Sequence, residues 1–163
     1  EPVAPLLVGH IAAAADAEGL TYHKGGTYLA MEGPQFSSLA ESELYRSWKC
    51  DVIGMTNMPE AKLAREAEIC YATVAMVTDY DSWHPDHGSV DIQAIIRVLH
   101  ENADNARRLI ARLARDLPRT HEACPIGSDT ALEYAMMTAP EVRDPDLVAK
   151  LDAVAGRMLQ SAG

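Results

Sequence analysis

The sequence predicts an α/β fold, a mixed sheet flanked by helices, and three stretches carry that prediction. Ala72 to Thr78 is an uncharged run of small, apolar and β-branched residues, which suits a strand buried on both faces. Asp51-Val52-Ile53-Gly54-Met55-Thr56 reads as a second short strand, and Pro59 opens a helix between the two that runs to about Glu68. Strand, helix and strand make a parallel, right-handed β-α-β unit. Beyond them Ile92, Ile95, Leu99, Ala103, Ala106, Ile110, Leu113 and Leu117 recur at helical steps, so a long amphipathic helix is predicted from a cap at Ser89 to just before Pro118.

The remaining elements follow in order. Glu1 to Pro5 is an extended lead-in, and Leu6 to Glu18 is an Ala-rich helix that Gly19 stops. Thr21 to Glu32 predicts two short strands joined by a Gly25-Gly26 turn. Gly33-Pro34 breaks the second strand. Ser38 and Glu41 then give the capping-box spacing for a helix to about Lys49, with Leu44, Tyr45 and Trp48 on one face. Phe36 and Ser37 fall on the loop before that helix. The bland role for Phe36, the single Phe of the chain, is a hydrophobic staple or core plug.

Asp79 and Asp81 stand just past the carboxyl end of the Ala72–Thr78 run, where open α/β sheets bind ligands. A solvated turn is the bland alternative for them, and a plain strand end is the alternative for Thr56. His84-Pro85-Asp86-His87-Gly88 is a loop whose spacing matches no helix-based zinc motif, so no metal is expected. Arg107, Arg108, Arg112 and Arg115 read as the solvated face of the long helix. After Pro118 come a Cys124-Pro125-Ile126-Gly127 loop and a short helix Ala131 to Met137, capped by Ser128 or Asp129 and rich in Met. A loop Pro140 to Pro145 and a final helix Asp146 to Leu159 complete the chain.

The length of 163 residues is enough for one domain with its own core. A net charge of -10 and the lack of a basic patch argue against a nucleic-acid partner. No apolar run is long enough to span a bilayer, and no secretory leader is evident. Cys50, Cys70 and Cys124 are odd in number and form no C-x-x-C pair, which fits reduced thiols in a cytoplasmic protein.

Three segments together resemble the trimeric purine nucleoside phosphorylase superfamily. They are Glu32-Gly33-Pro34-Gln35-Phe36-Ser37-Ser38-Leu39-Ala40-Glu41-Ser42, Asp51-Val52-Ile53-Gly54-Met55-Thr56-Asn57-Met58-Pro59-Glu60 and Thr78-Asp79-Tyr80-Asp81. Their order and spacing are most similar to the 5′-methylthioadenosine phosphorylase branch, and the likeness runs from Glu1 to about Leu117. It implies a three-layer nucleoside-phosphorylase-like fold, of which this chain supplies roughly the C-terminal half. Residues 1–117 would belong to the core and 118–163 to a C-terminal helical extension of one phosphorylase domain. Family members are nearly twice as long, and their phosphate loop is not in this sequence. A fragment or a product of a cleaved precursor is therefore expected, working with a companion polypeptide that carries the N-terminal half, as a trimer or dimer of trimers.

The resemblance also implies the chemistry. Phosphate attacks the anomeric carbon while the purine leaves carrying negative charge, and a hydrogen bond or proton at purine nitrogen 7 assists. Asp79 matches the group serving nitrogen 7; to donate it must hold a proton, which burial or the neighbouring Asp81 would favour. Asp81 matches the acceptor for the exocyclic amino group. Phe36 would pack on the purine, Met55 on the sugar, and Thr56 would bind phosphate; Thr78 joins the substrate-binding set, and Val90 lies where the family places a contact to the 5′ substituent. The 6-oxopurine phosphorylases have Glu at the place of Ser37 and Asn at that of Asp79, so the Ser37 and Asp79 pair implies a 6-aminopurine.

The reaction implied is phosphorolysis of 5′-methylthioadenosine to adenine and 5-methylthioribose 1-phosphate, with inorganic phosphate as co-substrate and no other cofactor. The alternatives are a nucleosidase, a general adenosine phosphorylase, or a non-catalytic chain that completes a partner.

Overall fold

Ala and Leu dominate Pro5–Ala17, and they form helix α1. In a computed structural model, residues 2–85 and 92–160 are described. Strand β1 is Tyr28–Ala30, α2 is Leu39–Ser47, β2 is Val52–Gly54, α3 is Asn57–Glu66, α4 is Ile92–Asp116 and α5 is Pro145–Gln160, with a 3-10 turn at Pro140–Val142 before α5. The chain divides into two compact units. One comprises Glu1–Leu7, Pro59–Ala72 and Thr120–Gly163, and the other Val8–Met58 and Thr73–Arg119.

Three helices end in the same way. After α1, Gly19 is left-handed (φ 65); its N–H donates to the Asp16 carbonyl, and that of Leu20 to the Ala15 carbonyl. This doubly bonded terminus satisfies two of the last carbonyls. α2 repeats the pattern with Lys49 (φ 59), and α3 with Glu68 (φ 56), so two side-chain-bearing residues occupy a conformation that favours glycine. The predicted capping box opens α2: Glu41 N–H donates to Ser38 Oγ, while Ser38 N–H donates to Glu41 Oε2 at 2.7 Å. α3 is kinked at Met58, which takes extended angles (φ -122, ψ 127) because the ring of Pro59 crowds a helical conformation at the preceding residue.

In the unit containing Val8–Met58, β1 and β2 pair in parallel with Tyr28 beside Val52 and Ala30 beside Gly54. α2 is their crossover. The observed β-α-β unit is thus β1-α2-β2, one step earlier than predicted. The predicted Gly25-Gly26 hairpin does not form, since among the described residues only the segment after those glycines becomes a strand. Gly26 is instead pressed against Asp51, whose carboxylate accepts the Thr27 N–H at 2.6 Å; a Cβ on Gly26 would lie 2.8 Å from that carboxylate.

Residues Tyr71 to Thr78 also depart from prediction. They form no strand, and Val74, Met76 and Val77 are exposed. A strand needs a ladder to a neighbour's backbone, and among the described residues this segment has only the Ala4 N–H donating to the Tyr71 carbonyl at 2.8 Å. Single bonds hold the segment instead: Asn102 Nδ2 donates to the Val77 carbonyl at 2.9 Å, and Thr73 donates to Asn57.

α4 forms as predicted, but its buried face is rotated. Leu109 is 6% exposed and packs with Ala14 and Ala15, whereas Ile110 is 63% exposed. Arg108 and Arg112 are not merely solvated: both ion-pair with Glu18, which ties α4 to the end of α1. The Ser89 cap lies outside the described residues.

In the other unit, Asp144 caps α5, its Oδ1 accepting from the N–H groups of Asp146 and Leu147, and Pro145 takes the first helical position. Glu68 pairs with Arg157 at 2.5 Å. The predicted helix Ala131 to Met137 is a chain of turns, although its Leu132 is buried.

Candidate functional site

The site residues named from the sequence that the structure describes all belong to the unit built on β1-α2-β2. Val90 lies outside the described residues, as do Asp86 and His87. Each of the others is placed by a backbone feature. Met55 and Thr56 follow β2 directly. Phe36 and Ser37 precede α2, whose capping box fixes where the loop ends. Thr78 closes the Tyr71–Thr78 segment, and Asp79 and Asp81 follow it.

The Phe36 loop and the residues after Thr78 meet. Ser37 is 7% exposed, and its hydroxyl donates to Asp81 Oδ1 at 2.6 Å. The Ser82 hydroxyl donates back to the Ser37 carbonyl at 3.1 Å. Two side chains therefore tie the segment carrying the acids to the loop carrying Phe36. Arg46, in the last turn of α2, lies 3.8 Å above the Trp83 ring, a cation-π contact that adds a third tie. Asp81 also lies close enough to the start of α2 to act on Glu41: the Ser38 backbone N–H, then its hydroxyl, hold the Glu41 carboxyl below its usual range, against the charge of Asp81.

Met55 reaches the same loop through a glycine. Gly33 is left-handed (φ 71), and a Cβ there would stand 2.7 Å from Met55 Sδ. Only a residue without a side chain lets Met55 lie against Gly33-Pro34. β2 and the Phe36 loop are thereby held together, and Asn57, directly after Thr56, is buried and joined to Thr73.

Other expectations are not met within this chain. Phe36 is 84% exposed, so it is neither staple nor core plug. Asp79 is exposed rather than buried, and accepts a hydrogen bond from the Thr78 hydroxyl at 2.6 Å. Thr56 is exposed just past β2. Tyr80 stacks on His84 with ring centroids 4.4 Å apart.

A groove of 220 Å³ between α1 and α4, lined by His10, Arg112 and Asp116 among others, holds none of these residues. Among the described residues no group of three or more His, Cys, Asp or Glu is arranged to hold a metal. No helix there is long and apolar enough to cross a membrane.

Sequence reasoning missed Ser82, Asn57, Asn102 and the Gly33–Met55 contact. Ser82 had a signal in its place beside Asp81; the other three depend on tertiary neighbours.

Residues 1–115 match the model of the phosphorylase superfamily, and the chain belongs to that family. Its relatives are more particular. It is 68% identical over 159 residues to the S-methyl-5′-thioadenosine phosphorylase of Bradyrhizobium diazoefficiens, covering 98% of this chain and 55% of the relative. It is 70% identical over 149 residues to that of Cereibacter sphaeroides, covering 91% of this chain and 51% of the relative. The crystal structure of a methylthioadenosine phosphorylase from an Antarctic soil metagenomic library superimposes with a TM-score of 0.79 at 40% identity, over 94% of this chain and 54% of that one. The nucleoside-phosphorylase α/β fold follows. The chain spans about half the length of the curated relatives it matches.

Proposed function

We propose that this chain forms the purine- and sugar-facing part of an enzyme that splits 5′-methylthioadenosine with inorganic phosphate, giving adenine and 5-methylthioribose 1-phosphate. The observation that carries the reading is the 2.6 Å bond from Ser37 to Asp81, since it joins the two segments that would read the base. Asp81, fixed by Ser37, accepts from the exocyclic amino group. Asp79 serves nitrogen 7, Phe36 covers the purine, Thr78 lines the site beside it, Met55 meets the sugar, and Thr56 contributes a hydroxyl to the phosphate. Val90 contacts the 5′ substituent.

A companion polypeptide completes the site. Phe36, Val74, Val77 and Tyr80, in or beside the candidate segments, are exposed, and so is Asp79. An N-terminal half would cover this apolar surface, supply backbone to Tyr71–Thr78 and bring the phosphate loop. The working assembly is a trimer or dimer of trimers in the cytoplasm.

The test is adenine release from 5′-methylthioadenosine by the purified protein with its companion, with and without phosphate. Phosphate-dependent release of adenine and the sugar 1-phosphate is expected. Release without phosphate makes the protein a nucleosidase, and no release in either case leaves a structural chain.

A further inference from the structure

Two side chains near the purine residues have no part in the chemistry assigned to that site. Arg46 is an exposed residue in the last turn of α2, and Trp83 is half-buried, two residues after Asp81. The Arg46 guanidinium carbon lies over the Trp83 ring, 3.8 Å from its centroid. A guanidinium over an aromatic face is directional, so it fixes the ring's place as well as attracting it.

What the contact holds is a turn. The His84 N–H donates to the Asp81 carbonyl at 3.0 Å, which closes Asp81-Ser82-Trp83-His84. Rings pack around it. Tyr80 stacks on His84 with their planes 11° apart, and Trp83 stands edge-on to both, 5.7 Å from Tyr80 and 5.2 Å from His84. Asp81 and Trp83 thus belong to one small packed body, and whatever moves the ring moves the carboxylate. No strand ladder among the described residues fixes that body, since the only sheet there is β1 with β2.

α2 holds the body at two points. Just before the helix, the Ser37 hydroxyl donates to Asp81 Oδ1 at 2.6 Å, and the Ser37 carbonyl accepts from the Ser82 hydroxyl at 3.1 Å. In the last turn, Arg46 covers Trp83. At about 1.5 Å per residue, Ser38 and Arg46 lie ~12 Å apart along the helix. Helix side chains lean towards the N-terminus, so a long arginine in the last turn reaches back to the same turn that Ser37 grips. Attachment at Ser37 alone would let the turn rock about that residue; the second point removes the freedom.

We propose, on the purine reading of the site, that Arg46 is a positioning residue, acting through Trp83 to set the angle at which Asp81 meets the exocyclic amino group of a 6-aminopurine. Recognition of that amino group then depends on a contact that touches no substrate. A cation in the last turn of α2 also suits the helix dipole, but that role alone would not favour one base over another.

The test is calorimetric binding of adenine, and of purine, which lacks the amino group, to the protein with its companion. The unaltered chain is compared with Arg46→Met, Trp83→Leu and the double change. Arg46→Met should weaken adenine binding roughly two- to fivefold, the size of an exposed cation-π contact, and leave purine binding unchanged. Once Trp83→Leu is present, Arg46→Met should cost nothing more. Equal losses for adenine and purine, adenine binding unchanged in Arg46→Met, or losses that add in the double change overturn the proposal alone. No adenine binding by the unaltered complex overturns the purine reading, and the proposal with it. Arg46 is exposed, so Arg46→Met keeps the fold, and its adenine-to-purine ratio decides the matter where Trp83→Leu does not fold.

Discussion

Ser37→Ala removes one hydroxyl and leaves its surroundings in place. The Ser82 bond goes to the Ser37 backbone carbonyl and survives the change. What is lost is the 2.6 Å bond to Asp81. A hydroxyl donating to a carboxylate in a part-buried place is worth about 1.5–3 kcal/mol. At about 1.4 kcal/mol per tenfold, that is roughly 10- to 150-fold in an equilibrium constant. Asp81→Ala removes the same bond from the other side, and Ala is the cleaner partner because an amide in Asn would still accept from Ser37. Urea unfolding of the four proteins of a double-mutant cycle, followed by circular dichroism, should therefore give a coupling energy of about 1.5–3 kcal/mol. Adenine affinity, measured by calorimetry on the assembled enzyme, should show Ser37→Ala costing little once Asp81 is already gone. Single changes that add to within about 0.5 kcal/mol would mean the two side chains do not act on each other, and the base-reading argument would fail with them.

Thr56→Ala should raise the phosphate concentration needed for turnover roughly tenfold or more, with nucleoside affinity little changed, in steady-state assays that vary both substrates. Ser37→Glu with Asp79→Asn should shift preference from 6-aminopurine to 6-oxopurine nucleosides, while Asp79→Asn alone should slow turnover by roughly 10²–10⁴-fold and flatten its pH profile; weaker binding with unchanged turnover would make Asp79 a positioning group. Lys49→Gly should stabilise by about 0.5–1 kcal/mol in thermal melts, because it relieves a left-handed side-chain-bearing residue and gives back part of the gain as chain entropy. Glu68 has its pKa lowered by the Arg157 guanidinium above all, so its contribution is complete above the ordinary carboxylate pKa and is lost as pH falls through the lowered value. Glu68→Gln should accordingly reduce the loss of melting temperature on acidification, and a variant as acid-sensitive as the parent would contradict this.

The helices were legible because their signals are local. Ser38 and Glu41 announce α2 within four residues of each other, Gly19 announces the end of α1, and the 3- and 4-residue steps announce α4. The same local reading misplaced the contact face of α4, because both Leu109 and Ile110 are apolar and only the packing of Ala14 and Ala15 chooses between them. Strands depend on a neighbour that may be far away in sequence. Tyr28–Ala30 could be read as half of a hairpin, but Val52–Gly54 won the pairing, and α2 supplied the crossover that a parallel pair requires.

Tyr71–Thr78 shows the opposite outcome. Its composition is that of a strand with both faces covered, yet Thr73 to Val77 stand exposed and its backbone has no ladder. Composition reports the environment in which a segment is stable, and that environment is not made by the other described residues of this chain. The same holds for the site. The residues were readable from three short segments, and the contacts that this chain can make alone are present, from Ser37 to Asp81 and from Met55 to Gly33. Phe36, Thr56 and Asp79, whose proposed roles call for a base, a phosphate or a buried proton, are the ones left exposed. The bonds that would orient the acids are built into this chain, and the proposal assigns the covering of the exposed residues to the companion polypeptide.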